Sequence, residues 1–269
     1  MGIRKKIIKK TCDFLLSQGT FTTKRTDLTE LRQFLKTVIP KKLAIDSIRI
    51  GGNNDGGYVV PNDLGGINYC FSPGVGNLIN FENDLSKKGI KSFLADFSVS
   101  ENYNNKLIDF EKKFVGPISN ENYICLKDWI SSKIDYEKND DLILQLDVEG
   151  DEYDIINSLD IKTLKKFRII LVEFHQLHYL FDSFSFKKIK KVFDILNKFF
   201  YCTHIHPNNN PEFIVTEKDI KIPPVLEFSY LRKDRSDVIN QKLEFPTIMD
   251  QPNNPTRTDI DLPKCWYKS

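Results

Sequence analysis

Apolar positions recur along the chain with two periods, and the switching between them predicts an α/β protein. In the first forty residues the period is helical. Ile3, Ile7, Ile8, Phe14 and Leu15 form one stripe opposite Arg4, Lys5, Lys6, Lys9 and Lys10; Leu28, Leu31, Leu35 and Val38 form a second, opened by Asp27 and closed before Pro40. Residues 47–62 alternate polar and apolar about Asn54-Asp55-Gly56-Gly57, a hairpin signal. Seven short apolar runs follow, at residues 67–71, 91–95, 123–126, 142–146, 167–174, 200–206 and 225–231. Helical patterns fall between them, at residues 80–88, 104–113, from 127, up to 159, and 184–199. FRIILVEF at 167–174 has no polar face and predicts a strand buried on both sides, whereas the last run is expected antiparallel to its neighbour. Strands alternating with helices give a doubly wound, mainly parallel open sheet. The chain divides into a basic helical segment (1–45), the sheet domain (46–235) and an extended tail (236–269), punctuated by Pro246, Pro252, Pro255 and Pro263 and expected to pack on the domain.

The first strand of that sheet breaks into Ser72-Pro73-Gly74-Val75-Gly76, a helix follows, and the second strand ends in Asp96, 20 residues after Gly76. Such glycines let a turn backbone approach a ligand in front of a helix N-terminus, and an acid at that spacing can accept the two hydroxyls of a ribose. A dinucleotide fingerprint wants a third glycine three positions on. Here that position is Ile79, which suits an adenosine ligand without a pyrophosphate, such as S-adenosylmethionine, better than NAD.

Composition and charge narrow this picture. Five scattered cysteines without CxxC spacing suggest neither a disulfide framework nor a zinc site, and fit a reducing cytoplasm. No apolar run reaches the roughly 18 residues of a membrane span. The net charge of +2 conceals eleven Lys/Arg against three acids in residues 1–42, a local +8 that leaves about −6 elsewhere, so the body carries no footprint for nucleic acid. The basic segment reads as a docking helix or a contact in a homo-oligomer, with attachment to an anionic membrane surface as the rival.

In an open α/β sheet ligands bind beyond the carboxyl ends of the strands. This sequence places there the glycine turn, Asp96, Asp147 with Glu149, Glu173 with His175, and His204 with His206. Glu173 and His175, two apart, share a face on an extended segment. With Asp147 they offer two oxygens and a nitrogen to a divalent metal ion.

LDVEGDEYDII at 146–156 resembles the signature strand and loop of FkbM-type S-adenosylmethionine-dependent methyltransferases. RIGGNNDGGYVV, FSPGVGNLINFENDL, LVEFHQLH, HIHPNN and IPPVLEFSYLRK are similar to segments of a bacterial, glycan-associated branch of that family, so the resemblance covers roughly residues 46–235. It implies a seven-stranded, Rossmann-like class I methyltransferase fold and O-methylation of a sugar or polyketide-type hydroxyl. Ser72, Gly74, Val75, Gly76 and Asn77 would then cradle the methionine end of S-adenosylmethionine, Asp96 its ribose, and Asp147 would stand between donor and acceptor. The family's usual Asp-x-Gly-Ala opening is Phe71-Ser72-Pro73-Gly74 here, so the donor's amino group must be met from elsewhere.

A sugar hydroxyl is a poor nucleophile at neutral pH, and two devices could activate it: a divalent metal ion on Asp147, Glu173 and His175, or His206 or His204 as base. The expected acceptor is a nucleotide-sugar for capsule or other surface polysaccharide. The competing readings are an NAD-dependent oxidoreductase on the same glycine turn and a binding module without catalysis.

Overall fold

The computed structural model describes residues 3–18, 22–100 and 103–268. Helix α1 (Ile3–Ser17) precedes α2 (Leu28–Thr37), whose N-cap Asp27 accepts from Thr29 N and Glu30 N as its position before the apolar stripe predicts. Strands β1 (Ser47–Ile50) and β2 (Tyr58–Pro61) make the expected hairpin, with Asn54–Gly57 as the turn at its tip. Then follow β3 (Tyr69–Pro73), α3 (Asn80–Lys87), β4 (Lys91–Ala95), β5 (Ile108–Glu111), β6 (Phe114–Gly116), β7 (Tyr123–Cys125), α4 (Leu126–Lys133) and β8 (Leu142–Leu146). The remainder comprises α5 (Glu152–Ser158), α6 (Ile161–Leu164), β9 (Phe167–Phe174), α7 (Ser183–Phe199), β10 (Phe200–Pro207), β11 (Val215–Glu217), β12 (Ile220–Ile222) and β13 (Leu226–Arg232).

Seven strands form one sheet in the order β10-β13-β9-β8-β3-β4-β5. It is mixed, not mainly parallel as the pattern suggested. β3, β4, β5, β8 and β9 pair in parallel, but β13 lies between β9 and β10 and is antiparallel to both. The physical reason is the connection. No helix separates β10 from β13, so the chain folds back beside β10 instead of crossing over.

A second correction concerns residues 104–113, expected as a polar helix. Asn105 closes a turn through Leu107 N, and Ile108-Asp109-Phe110-Glu111 continues as the edge strand β5. Its period of two outweighs the polar composition. The run at 123–126, expected in the main sheet, instead pairs with β6 in a separate two-stranded ribbon.

Both faces of the sheet are covered. In β9, Ile170, Val172 and Phe174 pack into the larger cluster with α2, α4, α5 and α7, while Ile169 and Leu171 face the hairpin and α3. Leu31, Phe34 and Leu35 of α2 and Leu262 and Trp266 of the tail belong to that larger cluster, so both flanks contribute to the core. Helix α1 does not behave in this way: Ile7, Ile8, Phe14 and Leu16 remain exposed, so the expected docking of this stripe is not seen there. The side chains of Ile3, Arg4, Lys5 and Lys6 lie outside the described ones. Among the described residues no helix is long and apolar enough to cross a membrane.

Trp266 tests the tail's place in the core. It is fully buried, donates Nε1–H to Lys221 O at 3.1 Å and meets Phe228 edge-on. Trp266→Ala should cost about 3–5 kcal/mol in urea unfolding. An unchanged midpoint would mean that the tail does not hold the core together.

Candidate functional site

The chain runs from β3 outward through β4 and β5 and returns to β8 on the other side of β3, so the sheet's switch point lies between β3 and β8. After Pro73 the backbone turns through Gly74 (φ 80°) and Gly76 (φ 51°). At Gly74 a Cβ would stand 1.5 Å from the carbonyl oxygen of Asp147, and together with the left-handed φ this requires glycine. Gly74 N donates to Ala95 O at 2.9 Å, tying the turn to β4. Gly76 N donates to Asp96 Oδ2 at 3.0 Å, and Ser98 N and Oγ donate to Asp96 Oδ1. Turn and acid, 20 residues apart in sequence, are in direct contact. With a single protein donor, Asp96 Oδ2 retains acceptor capacity for a hydroxyl.

Two clefts meet over this turn and share Gly74, Gly76, Asp147 and Glu149. One, of about 200 Å³, is polar and runs past Val75, Asn77, Glu82, Gln145, Tyr58 and Asp55. The other, of about 300 Å³, runs past Asp96 to Phe114, Val115 and Tyr123. The first is lined mainly by polar and acidic groups around the turn, and the second adds aromatic and aliphatic ones.

Ser72 lines neither cleft. It is buried between Glu82 Oε1 and Gln145 Oε1, and since its hydroxyl has one proton, a protonated Glu82 can supply the other hydrogen bond. Burial pushes the Glu82 carboxyl up to about 7, against the opposing pull of Ser72. Glu82 Oε2 is buried without a partner, as is Asp147 Oδ1 at the junction of the clefts.

His175 sits behind Asp147. Its Nδ1 lies 2.9 Å from Glu152 Oε1, a fully buried carboxylate that also accepts from Gly150 N and Val148 N. Its Nε2 faces Glu173 Oε1 and Glu149 Oε2, both at 3.3 Å, and Asp147 Oδ1 at 3.9 Å. Burial alone would discharge the ring, but hydrogen bonds and charges from Glu152 and Glu173 outweigh it and raise the pKa to about 11. An imidazolium offers no lone pair, so in this arrangement His175 links carboxylates. Asp147 is raised well above the usual carboxylate range by burial and then by the charge of Glu173.

The expected set of Asp147, Glu173 and His175 is divided between two groups. The ligand atoms of Asp147, Glu149 and His175 lie within 4.8 Å of one another, as do those of Glu173, Asp55 and Glu227. Glu173 faces Glu227 across β9 and β13, and Glu227 faces His206 across β13 and β10, so these three form a row on the hairpin side of the sheet. His204 Nε2 and His206 Nδ1 meet the same oxygen, Asp250 Oδ1, at 2.8 and 3.0 Å. His206 lines neither cleft, and its Nε2 is buried without a partner.

Sequence reasoning missed Glu82, Glu152, Glu227, Asp250 and Asn253. Glu227 was readable as the polar member of an alternating strand, and Glu82 lies one turn into a helix behind the glycines. Asp250 and Asn253 come from the tail and carry no local signal.

Residues 117–205, about a third of the chain, match the Methyltransferase FkbM domain. The matched segment holds Asp147, Glu173, His175 and His204; the glycine turn and Asp96 precede it. No curated protein matches the chain.

The Asp250 cluster yields a pH prediction. Burial lowers the His206 pKa but the hydrogen bond to Asp250 raises it above 6.5, and the two histidines, against burial, hold Asp250 below 3.8. A raised histidine contributes stability that fades as pH rises through its folded value, and a depressed carboxylate contributes stability that is lost on acidification. Asp250→Asn should therefore destabilise most between about pH 4 and 6.5 and less as pH rises through the folded value of His206, with His206 titrating lower by NMR. A pH-independent loss would assign Asp250 a purely steric role.

Proposed function

Taking the FkbM methyltransferase domain as premise, we propose that this chain is an S-adenosylmethionine-dependent O-methyltransferase acting on a sugar hydroxyl. The observation that carries the donor assignment is the contact between Gly76 N and Asp96 Oδ2 at the sheet's switch point, with a cleft on either side. When bound, S-adenosylmethionine supplies a methyl group already activated on a sulfonium, which leaves the protein alignment and proton removal.

The residues fit such a donor end to end. Asp96 takes the ribose hydroxyls, while Phe114, Val115 and Tyr123 provide an apolar slot for the base. Glycine at 74 and 76 keeps side chains out of the path of the methionine part. Glu82 offers its unpartnered, buried Oε2 to the amino group, in place of the acid missing from the turn. Asp147 stands partly exposed where the clefts meet and accepts the hydrogen bond of the acceptor hydroxyl; His175 faces its buried Oδ1 from behind. His206, oriented by Asp250, is the base for an acceptor that reaches past Glu227.

The clefts are lined by carboxylates and amides, with no Lys or Arg among the lining residues. Carboxylates suit hydroxyls and repel phosphate. If the acceptor is a nucleotide-sugar for surface polysaccharide, its sugar occupies the cleft and its diphosphate lies outside.

Calorimetry with S-adenosylhomocysteine tests the donor site. Asp96→Ala should abolish binding with the fold intact, and NADH should not bind. Binding of NADH instead would favour the oxidoreductase. Glu82 adds a signature: an ammonium needs the ionised carboxylate, whose population falls below pH 7. Affinity should drop by about tenfold per pH unit below that point, and Glu82→Gln should remove the slope.

A further inference from the structure

We infer that Asp55, Glu173 and Glu227, together with Asn253, form a site for a hard divalent cation of the Mg²⁺ or Mn²⁺ class beside the methionine end of the donor cleft. The three carboxylates come from the hairpin tip, the end of β9 and the start of β13. Their ligand oxygens lie within 4.8 Å of one another, and a single ion with ligands at about 2.1 Å, which spans at most about 4.2 Å, would draw them together by a fraction of an ångström. Glu173 and Glu227 are each 5% exposed, whereas Asp55 lines the polar cleft and leaves an entry path.

Nothing positively charged neutralises Glu227 or Asp55 by a direct ion pair among the described residues. Glu173 has only His175 at 3.3 Å, with Asn208 Nδ2 donating to both its oxygens. Arg49 is the nearby cation, but its guanidinium donates to the carbonyls of Gly52, Asn54 and Met249. Gathering acids in a buried place without a counter-charge is costly, and here a group designed to accept a cation removes the cost.

Two further side chains beside the cluster, each more than nine-tenths buried, carry a polar atom without a hydrogen-bond partner. The Asn253 amide is wedged between Glu227 Oε1 (2.6 Å) and Asp55 Oδ1 (3.2 Å), and its Oδ1 is buried without a partner. An amide can present either end. Without an ion the NH₂ end bridges the acids; turned over, the oxygen becomes a fourth hard ligand. His206 stands directly across from Glu227 with Nδ1 on Asp250, which leaves an unpartnered Nε2 on the same side of the row. Three carboxylates and an amide oxygen select Mg²⁺, Mn²⁺ or Ca²⁺ over softer metals. The role assigned to the ion, lowering the pKa of the acceptor hydroxyl, rests on the methyl-transfer reading; the binding does not.

The test is Mn²⁺ titration of the full chain, followed by electron paramagnetic resonance and calorimetry, without turnover. One ion per chain is expected, weakened at least tenfold by Glu227→Gln and by Asp55→Asn, and little changed by Glu149→Gln, which alters only the neighbouring cluster. Thermal melts of the apo variants establish that they are folded. No binding by the wild-type chain, or binding lost in Glu149→Gln and kept in Glu227→Gln, would overturn the site. S-adenosylhomocysteine binding, measured separately, distinguishes the two ideas: donor binding without Mn²⁺ binding removes the metal site alone, and Mn²⁺ binding without donor binding removes the methyl-transfer reading alone.

Discussion

A side chain at Gly74 would collide with the carbonyl of Asp147, and the rest of the site depends on the close packing of these two backbones. Two parallel strands whose following connections leave in opposite directions open a gap at their carboxyl ends. Only a residue without a Cβ lets the β3 turn lean across that gap onto β8. Because it does, the turn reaches both the tip of β4, through Gly74 N and Ala95 O, and Asp96, through Gly76 N. A bulkier residue would push the turn away from β8. The two clefts that now share the turn as a common wall would then lose their junction, and Asp147 its position between them.

A second constraint is the concentration of acids behind that junction. Asp147, Glu149, Glu152 and Glu173 surround one imidazole, whereas in the second group Glu227 and Asp55 share the Asn253 amide and Glu173 takes the amide of Asn208. The two groups solve the same electrostatic problem differently. The first holds an imidazolium within 4 Å of all four of its acids. The second meets that ring only at Glu173, and Glu227 and Asp55 have an amide, whose dipole offsets less charge than a full positive unit. This asymmetry is why the metal assignment moves from the first group, where spacing along the sequence put it, to the second.

Much of the fold was legible in the period of the apolar positions. β3, β4, β8, β9, β10 and β13 coincide with the apolar runs to within about two residues, and the Asp27 cap and the hairpin fall where their signals lie. The edge strand β5 was misread because four residues of alternation were outweighed by polar neighbours. β7 was misread because a run that looks like a sheet strand pairs instead with β6. The mixed character of the sheet lies in a connection length, which periodicity does not encode. At the site, Asp96 and the glycine turn were readable because both sit at fixed offsets from strand ends. Asp250, 44 residues beyond His206, was not.

The tail shows why such residues escape a local reading. A strand-end position can supply a side chain to one face only, and the hairpin side of this sheet carries a polar row of Ser72, Gln145, Glu173, Glu227 and His206, roughly one from each strand end. Ser72 and Gln145 meet within the row, and the remaining side-chain capacity of these buried groups is met from outside the sheet. Tyr58 of the hairpin meets Gln145, and Glu82 of α3 meets Ser72. Among the described residues the hydrogen bonds to the side chains of Glu227 and His206 come from the tail, through Asn253 and Asp250. The tail is anchored at its far end by Trp266 in the core on the opposite face, so it wraps the sheet's edge and is held at both ends. A segment with no α-helix or strand of its own thus becomes as much a part of the site as the strands, because it supplies hydrogen bonds to the buried polar row at Glu227 and His206.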